Sequence, residues 1–210
     1  MLRLAVGKVS TVCLIDGYFD HRPAVRHKEL LLLLARGWRI FGAASIGALR
    51  AAEMHGLGME GVGAIFAAYV RGSLTGDDEV ALVHAGQDNG WRPLSIPLVD
   101  VRVSLCAARR AGIIGPDDAR LMLRMASSIH YVDRQWRPLC VAMADPGRRR
   151  AFEAWLEGEA VSQKRADALA CLEAAIHGGG EDRERPPLVH SCYVDALARA
   201  CDIDPAIIRQ

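Results

Sequence analysis

The chain has 210 residues, 51% hydrophobic and 24% charged, with a mean hydropathy of +0.10; that is enough to bury the core of one α/β domain or of a domain with a helical appendage, and it excludes a disordered tail. Its 26 basic and 25 acidic groups leave a net charge of +1, so no bulk field points to nucleic acid or to an anionic membrane. The longest apolar run, Leu30 to Ala35, is far short of a membrane span, and the opening MLRLAVGKVSTVCLIDGYF lacks the small-residue cleavage site of a secretory signal, so the expectation is a cytoplasmic protein.

Val9 to Ile15 is a β-branched apolar run bounded by Asp16-Gly17 and reads as a strand buried on both faces. Pro23 opens a helix that continues through AVRHKELLLLLAR to Gly37, a residue suited to ending it in the left-handed conformation. Leu30 to Leu34 cover almost every side of that helix, which is therefore largely buried. Trp38 to Ala43 is a second strand and Ile46 to His55 a second helix. This β-α-β-α rhythm predicts two neighbouring central strands, parallel, with both carboxyl ends on one edge of the sheet.

GLGMEGVG beyond His55 reads as a glycine-rich loop, and Ala64 to Val70 as a short helix. Asp77 to Ala85 reads as a strand, because Val80 and Leu82 alternate, although Asp77 could cap a helix. Helices follow at Pro97 to Gly112, Pro116 to Ser128, Gly147 to Leu156, Ser162 to His177 with a capping serine, and Tyr193 to Cys201. Gly178 to Pro187 is polar and rich in breakers, so it reads as a linker and the segment after it as a loosely packed contact arm. The expected fold is α/β, a mainly parallel sheet flanked by helices, with a helical C-terminal region. An α/β core over 1–140 and a helical extension over 141–210 are the expected domains.

Six cysteines are scattered without any CxxC and read as reduced and mostly buried. His190, Cys192 and Cys201 lie nearest to a zinc spacing and lack a fourth ligand, so no metal is expected. The glycine-rich segment has no G-x-x-x-x-G-K-[ST] pattern, so neither a Walker loop nor any other cofactor is expected.

Ser45 lies at a strand-to-helix junction inside AASIGAL, where small residues permit a sharp turn. Such a serine is either a helix N-cap or a nucleophile on an elbow, and A-x-S-x-G departs from the hydrolase G-x-S-x-G. In both cases the helix start offers N–H groups to an anion. His27, whose spacing to Leu31 and Leu34 puts it on a buried face, is a core histidine or a general base at the same sheet edge as Ser45. Asp16 caps its turn or orients that imidazole, which would complete an Asp, His, Ser constellation. Arg50 and Glu53, at i and i+3, form either a surface ion pair or an internal pair facing a cleft, where Arg50 could grip a carboxylate or thiocarboxylate. Asp77, Asp78 and Glu79 form an acidic patch, a solvated turn or a cation holder. Glu79 joins Arg50 and Glu53 as a substrate-binding candidate.

The string from Ile15 to Ala85 closely resembles the core of the TfuA-like proteins. The resemblance is carried by DGYF (Asp16 to Phe19), PAVRHKE (Pro23 to Glu29), GAASIGALRAAE (Gly42 to Glu53), GMEGVGAIFAAY (Gly58 to Tyr69) and DDEVALVHA (Asp77 to Ala85). It continues through RPLSIPLVDVR (Arg92 to Arg102) and YVDRQW (Tyr131 to Trp136) to about Leu139. It implies an accessory role beside a YcaO-type, ATP-dependent cyclodehydratase that converts peptide backbone amides to thioamides. The ATP chemistry then belongs to the YcaO partner, and this chain supplies or releases sulfur, for example from a thiocarboxylated sulfur-carrier protein, towards the peptide substrate. Relatives carry a further strand and a GPSL-like loop before DGYF. Here MLRLAVGK stands in that place, and the expectation is a strand and part of the pocket missing or rearranged.

On the leading reading Ser45 is nucleophile or water-positioner, His27 the base, Asp16 its orienter and Arg50 the carboxylate anchor, in acyl-transfer cleavage of a thiocarboxylate. The alternative is a binding module that docks the YcaO enzyme or its peptide and performs no chemistry. A generic small hydrolase, turning over simple esters without a partner, is a third class.

Overall fold

A computed structural model describes residues 4, 8, 10–17, 24–177, 186–187 and 191–206. Its contacts group the chain into two units, one comprising Met1–Ser73 with Asp167–Gln210 and the other Leu74–Ala166. The division expected from the sequence lies at 140/141, where the family resemblance ends.

In the first unit β1 (Thr11–Leu14), β2 (Arg39–Gly42) and β3 (Glu60–Gly61) form a parallel sheet in the order β1-β2-β3. Cys13 lies opposite Phe41, and Phe41 opposite Glu60. The expected parallel pairing of the first two strands is present. β2 is the central strand, and β1 is at the edge of the described sheet. β3 falls within the segment read as a loop, since two residues, one of them glycine, give no period to read.

Helix α1 (His27–Ala35) buries Leu30, Leu32, Leu33 and Leu34. It stops at Gly37, at φ 82°, with Trp38 N–H donating to Leu33 O and Gly37 N–H to Leu34 O. This paired closure takes up the last free carbonyls of the helix and needs a residue that adopts positive φ without a Cβ clash. Trp38 then enters the core with Ile40, Ala51, Met54 and Met59.

Helix α2 (Ile46–Met54) lies close against the strand ends through Gly47: a Cβ there would stand 1.7 Å from Leu14 O. Helix α3 (Gly63–Val70) starts where Asp167 accepts from the backbone N–H of Ala64 at 3.1 Å and of Ile65 at 2.8 Å. Helix α9 (Cys192–Ala200) adds Val194 and Ala198 to the core under α1. The linker read at Gly178 to Pro187 lies, apart from Pro186 and Pro187, outside the described residues.

The second unit is helical: α4 (Leu98–Arg110), α5 (Pro116–Ser128), α6 (Trp136–Val141) and α7 (Pro146–Glu159) enclose Leu98, Val101, Leu105, Met122, Leu139 and Phe152. The unit boundary falls inside α8 (Gln163–His177), after Ala166. Ser162 accepts from Arg165 N–H at 3.3 Å, as a capping serine should. The strand expected at Asp77 to Ala85 is corrected: Asp77–Glu79 is a 3-10 turn. Arg134 takes Asp78 at 3.2 Å and Arg102 takes Glu79 at 2.7 Å, and these two pulls curl the acidic run. Further on, only His84 and Pro93 form an isolated antiparallel bridge.

Candidate functional site

The edge beyond the strand ends is built from Ile15, Asp16, Gly17 and the Ala43-Ala44-Ser45 turn. Ser45 N–H donates to Ile15 O at 3.1 Å and to Ala43 O at 2.8 Å. The second bond closes a γ-turn on Ala44, whose φ is 66°. A non-glycine residue held there is strained, and strain of this kind concentrates at functional turns. Asp16 and Ser45 therefore share one edge. Asp16 accepts the N–H of Gly17 at 2.8 Å, the turn-capping role. Ser45 is the residue before α2 and is buried, 5% exposed.

His27 is placed elsewhere. Its Nε2 lies 2.7 Å from Glu53 Oε2, and the same oxygen accepts from Arg50 at 2.7 Å. Arg50 also donates through Nε to Val25 O at 2.9 Å, which fastens the approach to α1 alongside α2. Glu53 is eight residues from Ser45 on one helix, about 12 Å along its axis. The structure thus brings His27, Arg50 and Glu53 together, and it does not bring His27 to Ser45. The buried face expected for His27 is corrected as well, since its side chain is 48% exposed. Five consecutive leucines surround α1, so spacing from any one of them carries no facing information.

The Arg50–Glu53 pair combines both sequence alternatives: Arg50 is 17% exposed and Glu53 45%. A carboxylate that receives a guanidinium and an imidazole through one oxygen is fixed in position, and it in turn orients the ring. Glu79 belongs to the other unit, where Arg102 grips it with Nε at 3.0 Å and Nη2 at 2.7 Å. That hydrogen bonding raises the Arg102 pKa, so the fork stays charged.

Sequence reasoning missed Arg26 and Lys28, which turn to Tyr193 and Ser191 at the start of α9. The run Arg26-His27-Lys28 was the available signal. It missed Arg134 too, for which no local pattern exists. The thiols offer little chemistry at the sheet. Cys13 Sγ points to Cys171 O at 3.9 Å, and burial above all pushes the Cys171 thiol up to about 12. Among the described residues no group of His, Cys, Asp and Glu is arranged to hold a metal ion, and no helix is long and apolar enough to cross a membrane.

Fold and site together define an α/β protein in which a small parallel sheet carries a strained strand-to-helix turn, and the helix that follows presents Arg50 and Glu53 to His27 of α1. The sequence model of a family described as TfuA-like protein matches residues 16–135. That span covers more than half of the chain and holds Asp16, His27, Ser45, Arg50, Glu53 and Glu79, and the chain belongs to the TfuA-like family. Among curated proteins, none matches the chain.

Proposed function

We propose that this protein is an accessory to a YcaO-type cyclodehydratase in peptide backbone thioamidation, and that it releases sulfur for that reaction by hydrolysing the thiocarboxylate of a sulfur-carrier protein. Membership of the TfuA-like family supports the accessory role. The observation that carries the chemistry is the 2.7 Å contact of His27 with Glu53, itself held by Arg50. With Nε2–H donating to Glu53, Nδ1 of the exposed imidazole is left to take a proton from water. The water oxygen bonds to the acyl carbon, the carbon–sulfur bond breaks, and thiocarboxylate plus water gives carboxylate plus hydrogen sulfide. Glu53 orients the base and stabilises the imidazolium; Arg50 keeps Glu53 in place. The strained Ala44–Ser45 turn and Asp16 shape the sheet edge at the start of the same helix.

The test is sulfide release from a thiocarboxylated carrier by the purified protein. His27→Ala should lower the rate by about 10²–10⁴-fold while shifting stability by no more than about 0.5 kcal/mol. Ser45→Ala should keep release within a few-fold, since Ser45 precedes α2 without a side-chain capping bond to the helix start and lies away from His27. The burial of Ser45 and its separation from His27 favour the second reading, a docking module without chemistry. Undiminished release from His27→Ala, or none from the unaltered protein, would leave that reading in place.

A further inference from the structure

Arg26 and Lys28 flank His27 in the sequence, and both reach to α9. Arg26 Nη1 donates to the Tyr193 hydroxyl, and its Cζ lies 5.2 Å from the Tyr193 ring centroid. Lys28 Nζ lies 5.1 Å from the same centroid and donates to Ser191 Oγ at 3.2 Å. Two cations thus converge on one ring, and each has only neutral hydroxyls as side-chain partners among the described residues. Glu29, the carboxylate beside them in the sequence, turns Oε2 to the backbone N–H of Arg26 at 3.1 Å.

Both cations lie within 5.2 Å of the Tyr193 ring centroid, and hydroxyl partners leave their charge uncancelled; an anion within reach of both is attracted by each. The guanidinium can take a carboxylate-shaped group through two N–H donors, while the ammonium acts as a point charge and the hydroxyls set its orientation. We infer that Arg26, Lys28, Ser191 and Tyr193 form an anion site that takes the carboxyl-terminal thiocarboxylate or carboxylate of the carrier chain. The inference rests on the thiocarboxylate reading above. It adds the group that recognises the reacting end; in the sequence the base, His27, lies between the two cations.

The experiment uses the whole protein and one short synthetic peptide made with a terminal thiocarboxylate, carboxylate or carboxamide, with inorganic phosphate as a fourth probe. The unaltered protein should bind the two anionic peptides at least about tenfold more tightly than the carboxamide. The double variant Arg26→Gln, Lys28→Gln should lose that preference without a change in melting temperature. Equal binding of the carboxamide, a preference that survives the double substitution, or binding of phosphate with no preference among the peptides would each overturn the site. Sulfide is read in the same samples. Release without an anion preference removes the site and leaves the proposed hydrolysis, whereas an anion preference without release keeps the site and removes the hydrolysis.

Discussion

The two units use the same kinds of charged residue to different ends. In the sheet-bearing unit, His27 and Glu53 are each nearly half exposed, and Arg26 and Lys28 have hydroxyls for partners. In the helical unit, Arg134 is 0% exposed and donates to Ala126 O, Ile129 O, Asp78 O and Asp78 Oδ2. Asp100 accepts from Ser162, Gln163 and Lys164 and so holds the start of α8. Those charges of the helical unit are consumed in joining loops to helices; His27, Glu53, Arg26 and Lys28 are exposed to water. Charge type alone therefore does not mark a site. Unspent hydrogen-bonding capacity does.

The strongest challenge to that contrast is Arg134→Met. Removing the guanidinium takes the donor from three carbonyls at a buried place and the ion-pair partner from Asp78, whose side chain is 48% exposed, and leaving a buried acceptor unpaired costs about 1–3 kcal/mol for each group. Chemical denaturation should show that loss, whereas His27→Ala should barely move the midpoint. If Arg134→Met proves as harmless as His27→Ala, the guanidinium is not structural and the contrast fails.

A glycine pair sharpens the comparison at a smaller scale. Gly47→Ala drives a Cβ to within 1.7 Å of Leu14 O, backbone that cannot yield without parting α2 from β1, and should cost about 1–3 kcal/mol despite alanine's better helix propensity. Gly158→Ala in α7 meets nothing within 4 Å and should stabilise by about 0.4–1 kcal/mol. Melting curves of the two variants should move in opposite directions; a shared direction would show that close approach is not what keeps glycine at 47.

The β-α-β-α frame was legible because apolar runs and Gly37 act locally, and the i, i+3 spacing of Arg50 and Glu53 was legible for the same reason; the helix start read at Pro23 was not, since α1 begins at His27. Helix α6 was not, because Pro138 in WRPLCV looks like a breaker; it sits in the first turn, where its missing N–H is not needed. The 3-10 turn at Asp77–Glu79 depends on Arg102 and Arg134, 23 and 56 residues on from their partners. The partnership of His27 with Glu53 depends on how the chain travels from β1 to α1, which no periodicity encodes. Expected helices at Pro116 to Ser128 and Ser162 to His177 match to within a residue, as amphipathic segments with clear starts should.

The smallest expected effect concerns two aspartates that cap helices in opposite electrostatic settings. Asp145 accepts from Arg148 N–H at 3.1 Å and Gly147 N–H at 2.8 Å, and these bonds, that to Arg148 foremost, hold its pKa below the ordinary 3.8. The unfolded chain then binds the proton more readily, so the stabilisation is present above about pH 3.8 and is lost as pH falls through the lower folded value. Asp100 is shifted the other way: burial, the largest influence, raises its pKa above 3.8 despite the bonds from Ser162, Lys164 and Gln163. Its folded form prefers the proton, so its contribution is fully present below pH 3.8 and is lost as pH rises through the raised value. Urea midpoints measured across the acid range should therefore separate the two. Asp145→Asn, which keeps a capping oxygen, should flatten the fall in stability at the acid end, and Asp100→Asn should steepen it. Parallel changes in the two variants would mean that burial does not set the state of Asp100. The helical unit would then hold a carboxylate as open to water as those of the sheet-bearing unit.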